Sequence, residues 1–317
     1  MRRINKFIVF LLLLSLILLV ISFYLESKRT EYFSNKLELH NWWLGDKKDE
    51  KSEAIFGKLF EDVKFDSVKI YSIFGEPDFQ KQKEENFLYV QYSGESSFKD
   101  PSVFDINFIP GDKNKNTILF PHAYQHILYN ELDIQKLLTR RTLDKNKKYK
   151  FCLFSVSNGS CKQRNEIFTE LSKYKKVDSC GSFMNNIDKQ CPDNHNSSAY
   201  FDFISDYKFM ICFENKSIPN YLTEKLINAY YSGAIPIYWG CPEVKNYVNM
   251  DAILYLPPNY TPNQLNELIS KIKQLDNDEA SYKMMYERAF FKDGKLPDEF
   301  NLEKIKQKVS NLLQLHR

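Results

Sequence analysis

From Phe151 onward, short apolar runs alternate with amphipathic ones, and this alternation constrains the fold more than any other feature. Phe151–Val156, Lys208–Phe213, Ala234–Tyr238 and Ala252–Leu256 read as buried strands, too uniformly apolar to have one face in water. Between and after them, Asn165–Tyr174, Tyr221–Tyr231, Pro262–Leu275, Glu279–Phe290 and Asn301–Leu313 carry helical spacing. Strands that alternate with helices pair in parallel and place their crossover helices on the sheet faces. The first half is less regular. Val68–Phe74, Asn86–Tyr92 and Val103–Ile109 read as strands and Asp133–Arg140 as a helix. Lysine-rich polar stretches at Asp46–Glu53, Gly111–Asn116 and Asp144–Lys150 interrupt the pattern, the last as a linker between halves. The expectation is an α/β chain of two Rossmann-like domains with a cleft between them, residues 40–147 and 148–296, followed by a C-terminal helix at 297–317.

The N-terminus predicts an anchor. Phe7–Leu25 is apolar apart from Ser15, Ser22 and the Tyr24 hydroxyl, and at about 1.5 Å per residue it nearly spans a bilayer core. It ends in Phe23-Tyr24-Leu25-Glu26, without the small residues of a cleavage site, so residues 1–25 read as a transmembrane signal anchor and 26–39 as a stem. Arg2, Arg3 and Lys6 precede the run, which places the N-terminus in the cytosol and the rest across the membrane, as in a single-pass type II protein. In a eukaryotic host this would be the Golgi membrane. Four sequons, at Asn158, Asn196, Asn215 and Asn259, matter only in a glycosylating lumen. Six cysteines permit disulfides there without proving any; Cys152 and Cys212 lie inside apolar strands and read as core residues.

A net charge of +3, from 44 basic and 41 acidic residues, gives no field for nucleic acid. Phosphate binding must therefore rest on a few placed side chains. In open parallel sheets ligands bind beyond the carboxyl ends of strands, at helix N-termini. Phe213-Glu214-Asn215 ends a strand, and Asn220-Tyr-Leu-Thr-Glu-Lys225 opens a helix. Lys225 puts a cation where the helix dipole disfavours one, and Arg164 does the same behind the strand Phe151–Val156. Two such cations suit a diphosphate. Glu224 is an acceptor for sugar hydroxyls, and Tyr221 could lie against a base. Glu95, after the strand Asn86–Tyr92 in the other half, would face the cleft as a general base. No metal is needed in this scheme: Asp276-Asn-Asp278 reads as solvated within a helical linker, and His122 and His126, four apart, lack a third ligand.

These residues resemble the α-1,3-fucosyltransferases of glycosyltransferase family 10. The segment Phe213-Glu-Asn-Lys-Ser-Ile-Pro-Asn-Tyr-Leu-Thr-Glu-Lys225 is similar to that family's donor signature, and Asn228-Ala-Tyr-Tyr-Ser-Gly-Ala-Ile-Pro-Ile-Tyr-Trp-Gly240 continues it. Ser157-Asn158, Arg164-Asn-Glu-Ile-Phe168 and Val177-Asp-Ser-Cys-Gly181 match further segments; Asn41-Trp-Trp43, Ile73-Phe-Gly-Glu-Pro77 and Tyr92-Ser-Gly-Glu95 look like the Helicobacter-type bacterial members. The resemblance implies a GT-B fold and inverting transfer of L-fucose from GDP-fucose to a glycan hydroxyl, O3 of GlcNAc, without an essential metal. It further implies Glu95 as base, Arg164 and Lys225 on the diphosphate, and Asn215, Tyr221 and Glu224 around the donor. The C-terminal cysteine motif of animal members and the heptad repeats of the Helicobacter type are absent. The alternatives are a carbohydrate-binding pseudoenzyme of the same fold, or a transferase for another nucleotide sugar.

Overall fold

A computed structural model describes residues 14–24, 37–43, 48–63, 65–75, 77, 83–112, 114–144, 146–147, 149–192 and 197–315. Two all-parallel sheets organise it. The first contains β1 (Leu37–His40), β2 (Ser67–Tyr71), β3 (Phe87–Tyr92) and β4 (Ile106–Phe108), in sequential order. The second contains β5 (Lys150–Phe154), β6 (Val177–Ser179), β7 (Tyr207–Ile211), β8 (Ile235–Tyr238) and β9 (Leu254–Tyr255), in the order β6-β5-β7-β8-β9. The chain leaves β5 toward β6 and returns to β7 on the other side. The carboxyl ends of β5 and β7 therefore form a topological switch point, where loops diverge and leave a crevice.

Helices α1 (residues 14–24), α2 (Glu50–Phe60), α3 (His122–Tyr129) and α4 (Gln135–Leu138) belong to the first half. Helices α5 (Lys162–Ser172), α6 (Ser198–Ser205), α7 (Glu224–Tyr231), α8 (Pro262–Asn277) and α9 (Glu279–Tyr286) follow, and α10 (Leu302–Leu315) ends the described chain. The C-terminal helix does not stand alone: Lys306 pairs with Glu61 and Asp62 beyond α2, and the Leu302 amide donates to the Tyr124 hydroxyl of α3 at 3.0 Å. One apolar core runs from the first sheet through α3 and α7 to α10, while a second fills the other face of the second sheet against α5 and α8. Backbone bonds join the halves near the crevice, from Gly111 N–H to Pro219 O at 2.7 Å and from Ala123 N–H to Leu222 O at 3.0 Å.

Several expectations change. Within the polar stretch Asp46–Glu53, the described residues from Asp49 on are not a break, because Asp49 caps α2 and the charges that follow open the helix while Ile55, Phe56, Leu59 and Phe60 are buried. The stem expected through Leu39 overlaps β1, so the folded part includes Leu37. Asp276 is not solvated; its side chain is 3% exposed and lies 2.9 Å from Lys208 and 3.0 Å from Lys175. Asp278 caps α9 through Ala280 and Ser281. Cys180 and Cys191 form a disulfide, while Cys152, Cys161, Cys212 and Cys241 are free and buried. Of the anchor expected at Phe7–Leu25, only residues 14–24 are described, as a helix with exposed side chains. Among the described residues no helix is long and apolar enough to cross a membrane. The expected Asn196 sequon and residues 26–36 of the stem lie outside the described residues.

Candidate active site

The loops at the switch point and the end of β3 bring the sequence-predicted residues together. Arg164 sits in the first turn of α5 and is 5% exposed. Its Nε donates to the carbonyl of Phe213 at 2.8 Å, which ties the loop after β5 to the end of β7. Its Nη2 is buried with no partner. Burying a cation without a counter-charge is costly, so an orphaned guanidinium nitrogen at a crevice is a place for an anion. The Asn215 Oδ1 is likewise buried and unpartnered. This makes the Asn215 sequon a poor glycan site, whereas Asn158 and Asn259 are exposed.

Lys225 occupies the second position of α7, whose N-cap Thr223 makes no side-chain cap. Instead the Thr223 hydroxyl donates to Glu214 Oε2 at 2.8 Å, and the Thr223 amide donates to Oε1 at 2.9 Å. Glu214, fully buried, thereby accepts the bonds at the start of the helix. Its position depends on Gly240 (φ +150°), where a Cβ would come within 2.5 Å of the Glu214 Cγ. Lys225 Nζ lies 3.3 Å from Glu214 and 3.2 Å from Glu224. Burial opposes the Lys225 charge, but Glu224 and Glu214 override it and hold the ammonium above the ordinary lysine range. Burial likewise works against the Glu224 charge, yet Lys225 above all holds its carboxyl well below the ordinary range.

Glu95 reaches this cluster from the other sheet. Its backbone N–H donates to Ser93 Oγ at 3.1 Å, in a turn that follows β3 directly. Burial raises its carboxyl above the ordinary glutamate value; Lys225 and a side-chain hydrogen bond from Asn215 oppose the rise, while Glu224 adds to it. These influences put Glu95, Asn215, Glu224 and Lys225 within electrostatic reach of one another. Tyr221 joins them through its hydroxyl, which burial and then Glu214 push well above the tyrosine range. Its ring is 3% exposed, so it offers no open face for a base to lie against.

Two participants were missed in the sequence. Glu214 stood inside the signature without a role, although an acid at the end of an apolar strand was the available signal. His122 was weighed only with His126 as a metal pair. The two rings face different partners: His126 Nε2 meets Asn228 Oδ1 at 2.7 Å, whereas His122 Nε2 lies 3.6 Å from Glu224 Oε2. The Tyr92 hydroxyl meets His122 Nδ1 at 3.0 Å. Burial pushes His122 down to about 4, so the ring is neutral at pH 7. Tyr92 then donates to Nδ1, and the Nε2 proton points toward Glu224. Gly94 lets this ring pack against the Glu95 loop, since a Cβ there would lie 2.7 Å from Nδ1. Among the described residues no group of three His, Cys, Asp or Glu side chains is arranged to hold a metal. A cavity of about 610 Å³ between β9, α8 and α9 contains none of these residues. A smaller one of about 310 Å³ is lined by His122 and Glu224.

Residues 145–297 match the family described as glycosyltransferase family 10 (fucosyltransferase) C-term, so this part of the chain is similar to that family. Among curated proteins, it is 26% identical to alpha-(1,3)-fucosyltransferase FucT of Helicobacter pylori over 312 residues, 83% of this chain and 63% of that protein. It is 34% identical to alpha-(1,3)-fucosyltransferase B of Drosophila melanogaster over 131 residues, 38% of this chain and 30% of that protein. The chain thus spans less than two thirds of the length of either relative. A solved alpha1,3-fucosyltransferase with GDP superposes with a TM-score of 0.67 at 23% identity, covering 88% of this chain and 90% of that one. That likeness establishes the two-sheet GT-B-like α/β fold with parallel sheets.

Proposed function

We propose that this chain transfers L-fucose from GDP-fucose to a hydroxyl of a glycan acceptor, O3 of GlcNAc, with inversion at C1. The carrying observation is the Arg164 guanidinium, buried at the switch point with Nη2 unpartnered, beside Lys225 and within one cluster with Glu95. In the proposed step the acceptor hydroxyl gives its proton to Glu95 while its oxygen bonds to C1 of fucose. The bond from C1 to the β-phosphate oxygen breaks, and GDP leaves with the bonding electrons. Arg164 and Lys225 face the charge that develops on the diphosphate, work that a divalent metal performs in other transferases. Asn215 and Glu224 surround the donor. The raised carboxyl of Glu95 supports its part, because a base works best with a pKa nearer the working pH.

The same proposal includes membrane attachment through Phe7–Leu25, supported by its apolar sequence, with the folded part beyond the membrane. Incubating the full chain with GDP-fucose and N-acetyllactosamine, in excess chelator, tests the reaction. A fucosylated product by mass spectrometry is expected. Its absence with every glycan acceptor tried, while GDP still binds, would instead fit a pseudoenzyme.

A further inference from the structure

His122 and His126, four apart on α3, face Glu224 and Asn228, four apart on α7. Residues four apart share one face of a helix, so the two pairs form successive rungs between α3 and α7. The backbone registers the two helix starts, because the second residue of α3, Ala123, donates its N–H to Leu222 O just before α7 at 3.0 Å. The rungs therefore cross from the first half of the chain to the second. Chemistry settles the tautomer of the inner rung. Asn130 Nδ2 can only donate, and it meets His126 Nδ1 at 3.2 Å. His126 Nδ1 accepts, so Nε2 carries the proton and donates it to Asn228 Oδ1 at 2.7 Å.

The outer rung repeats this arrangement, with Tyr92 in the place of Asn130. The Tyr92 ring is buried, stacked on Trp42 at 5.8 Å and edge-on to Phe56 at 5.2 Å, which fixes its hydroxyl 3.0 Å from His122 Nδ1. Burial first, then Glu224 and Glu95, raise the Tyr92 hydroxyl well above the tyrosine range, so it keeps its proton and donates. The imidazole is also held from behind, since it packs against Gly94 of the Glu95 loop. Its Nε2–H points at Glu224 Oε2, 3.6 Å away, while Lys225 Nζ lies 3.2 Å from Oε1 of the same carboxylate. The two oxygens of Glu224 thus face different partners, which sets the plane of the carboxylate. A carboxylate repels a diphosphate but accepts from hydroxyls, so its counterpart in a nucleotide sugar is the sugar.

We propose that His122 is a positioning residue: held at Nδ1 by the Tyr92 hydroxyl, it uses its Nε2–H to orient Glu224 toward the transferred sugar of the donor. The proposal rests on the transferase reading, in which Glu224 meets the donor. Nitrogen NMR of the full chain labelled at histidine reads the tautomer, with His122→Phe assigning the signal. A protonated Nε2 and a hydrogen-bonded, unprotonated Nδ1 are expected at pH 7, and the Nδ1 resonance should move in Tyr92→Phe. A proton on Nδ1 in the wild type, or an Nδ1 resonance unmoved in Tyr92→Phe, overturns the proposal. Affinities for GDP-fucose and for GDP are then measured by calorimetry in the wild type, His122→Phe and His122→Gln. The ring is neutral at pH 7, so phenylalanine removes its N–H without changing charge, and glutamine restores a donor. His122→Phe should bind GDP-fucose about tenfold more weakly and GDP within about twofold of wild type, and His122→Gln should recover most of the loss. Equal losses for both ligands would mean that His122 only supports the fold, and would overturn the proposal. Unchanged GDP-fucose affinity in His122→Phe, or no recovery in His122→Gln, would also overturn it. Turnover of the same samples separates the two ideas. A wild type that shows this binding pattern but transfers no fucose contradicts the transferase reading alone. One that transfers fucose while His122→Phe binds GDP-fucose normally contradicts the positioning role alone, and a wild type that binds no GDP-fucose contradicts both.

Discussion

The Lys225 ammonium lies 3.3 Å from Oε2 of Glu214, a carboxylate with no exposed surface. The cation that looked out of place at a helix start is therefore held by an acid from the preceding strand end. With Glu95 and Glu224 nearby, the cluster sets three carboxylates against Lys225 and Arg164. An incoming diphosphate adds further negative charge, so one carboxylate should take up a proton. Glu214 is the candidate, since burial already raises its carboxyl, with Lys225 opposing the rise. GDP binding should accordingly be accompanied by proton uptake and weaken as pH rises. Calorimetry in buffers of different ionisation enthalpy measures the uptake; Glu214→Gln should abolish it, and uptake that persists in that variant would assign the proton elsewhere.

Arg164→Ala should weaken GDP binding by roughly ten- to a hundredfold, the scale of a lost hydrogen bond to a charged group. Because Arg164 Nε also ties the two loops through Phe213 O, a modest loss of thermal stability should accompany it. GDP affinity within twofold of wild type, by calorimetry, would remove Arg164 from the diphosphate.

The proposed base, Glu95, must be ionised to act, so the account assigns it the acid limb of the pH profile of kcat/KM. Beyond burial, Lys225 lowers its pKa and Glu224 raises it. Lys225→Gln removes the lowering charge, so the acid limb should move to higher pH. Glu224→Gln removes a raising charge, so the limb should move to lower pH. Shifts in the same direction would show that the limb belongs to another group.

The second sheet was legible because its strands are buried on both faces and its helices carry clear periodicity. The site was legible through charges in unfavourable places, Arg164 and Lys225. What stayed hidden was short or tertiary. The four-residue β1 and the three-residue β6 are too brief for a periodic signal. The segment that opens α2 read as a polar interruption because its charged face comes first in the sequence. Glu214 and His122 acquire their roles only when α3, α7 and β7 meet, which spacing along one chain does not reveal.

Asp276 shows the same limitation in the scaffold. Burial works against its charge, but Lys208 and Lys175 hold its carboxyl below the ordinary aspartate range. Its contribution to stability is therefore fully present above the ordinary value of about 3.9 and fades as pH falls below it. Asp276→Asn should cost about 1–3 kcal/mol at pH 7, with the gap to wild type closing in acid. Urea unfolding across pH measures this, and a pH-independent difference would mean that the pairing charge is not responsible.

The most direct test joins Glu95 to the donor site. Turnover of GDP-fucose with N-acetyllactosamine and GDP affinity by calorimetry are measured together for wild type and Glu95→Gln. The account predicts fucose transfer by the wild type, a loss of about 10²–10⁴-fold in the variant, and GDP affinity within a few-fold of wild type. Near-normal turnover in Glu95→Gln would contradict it.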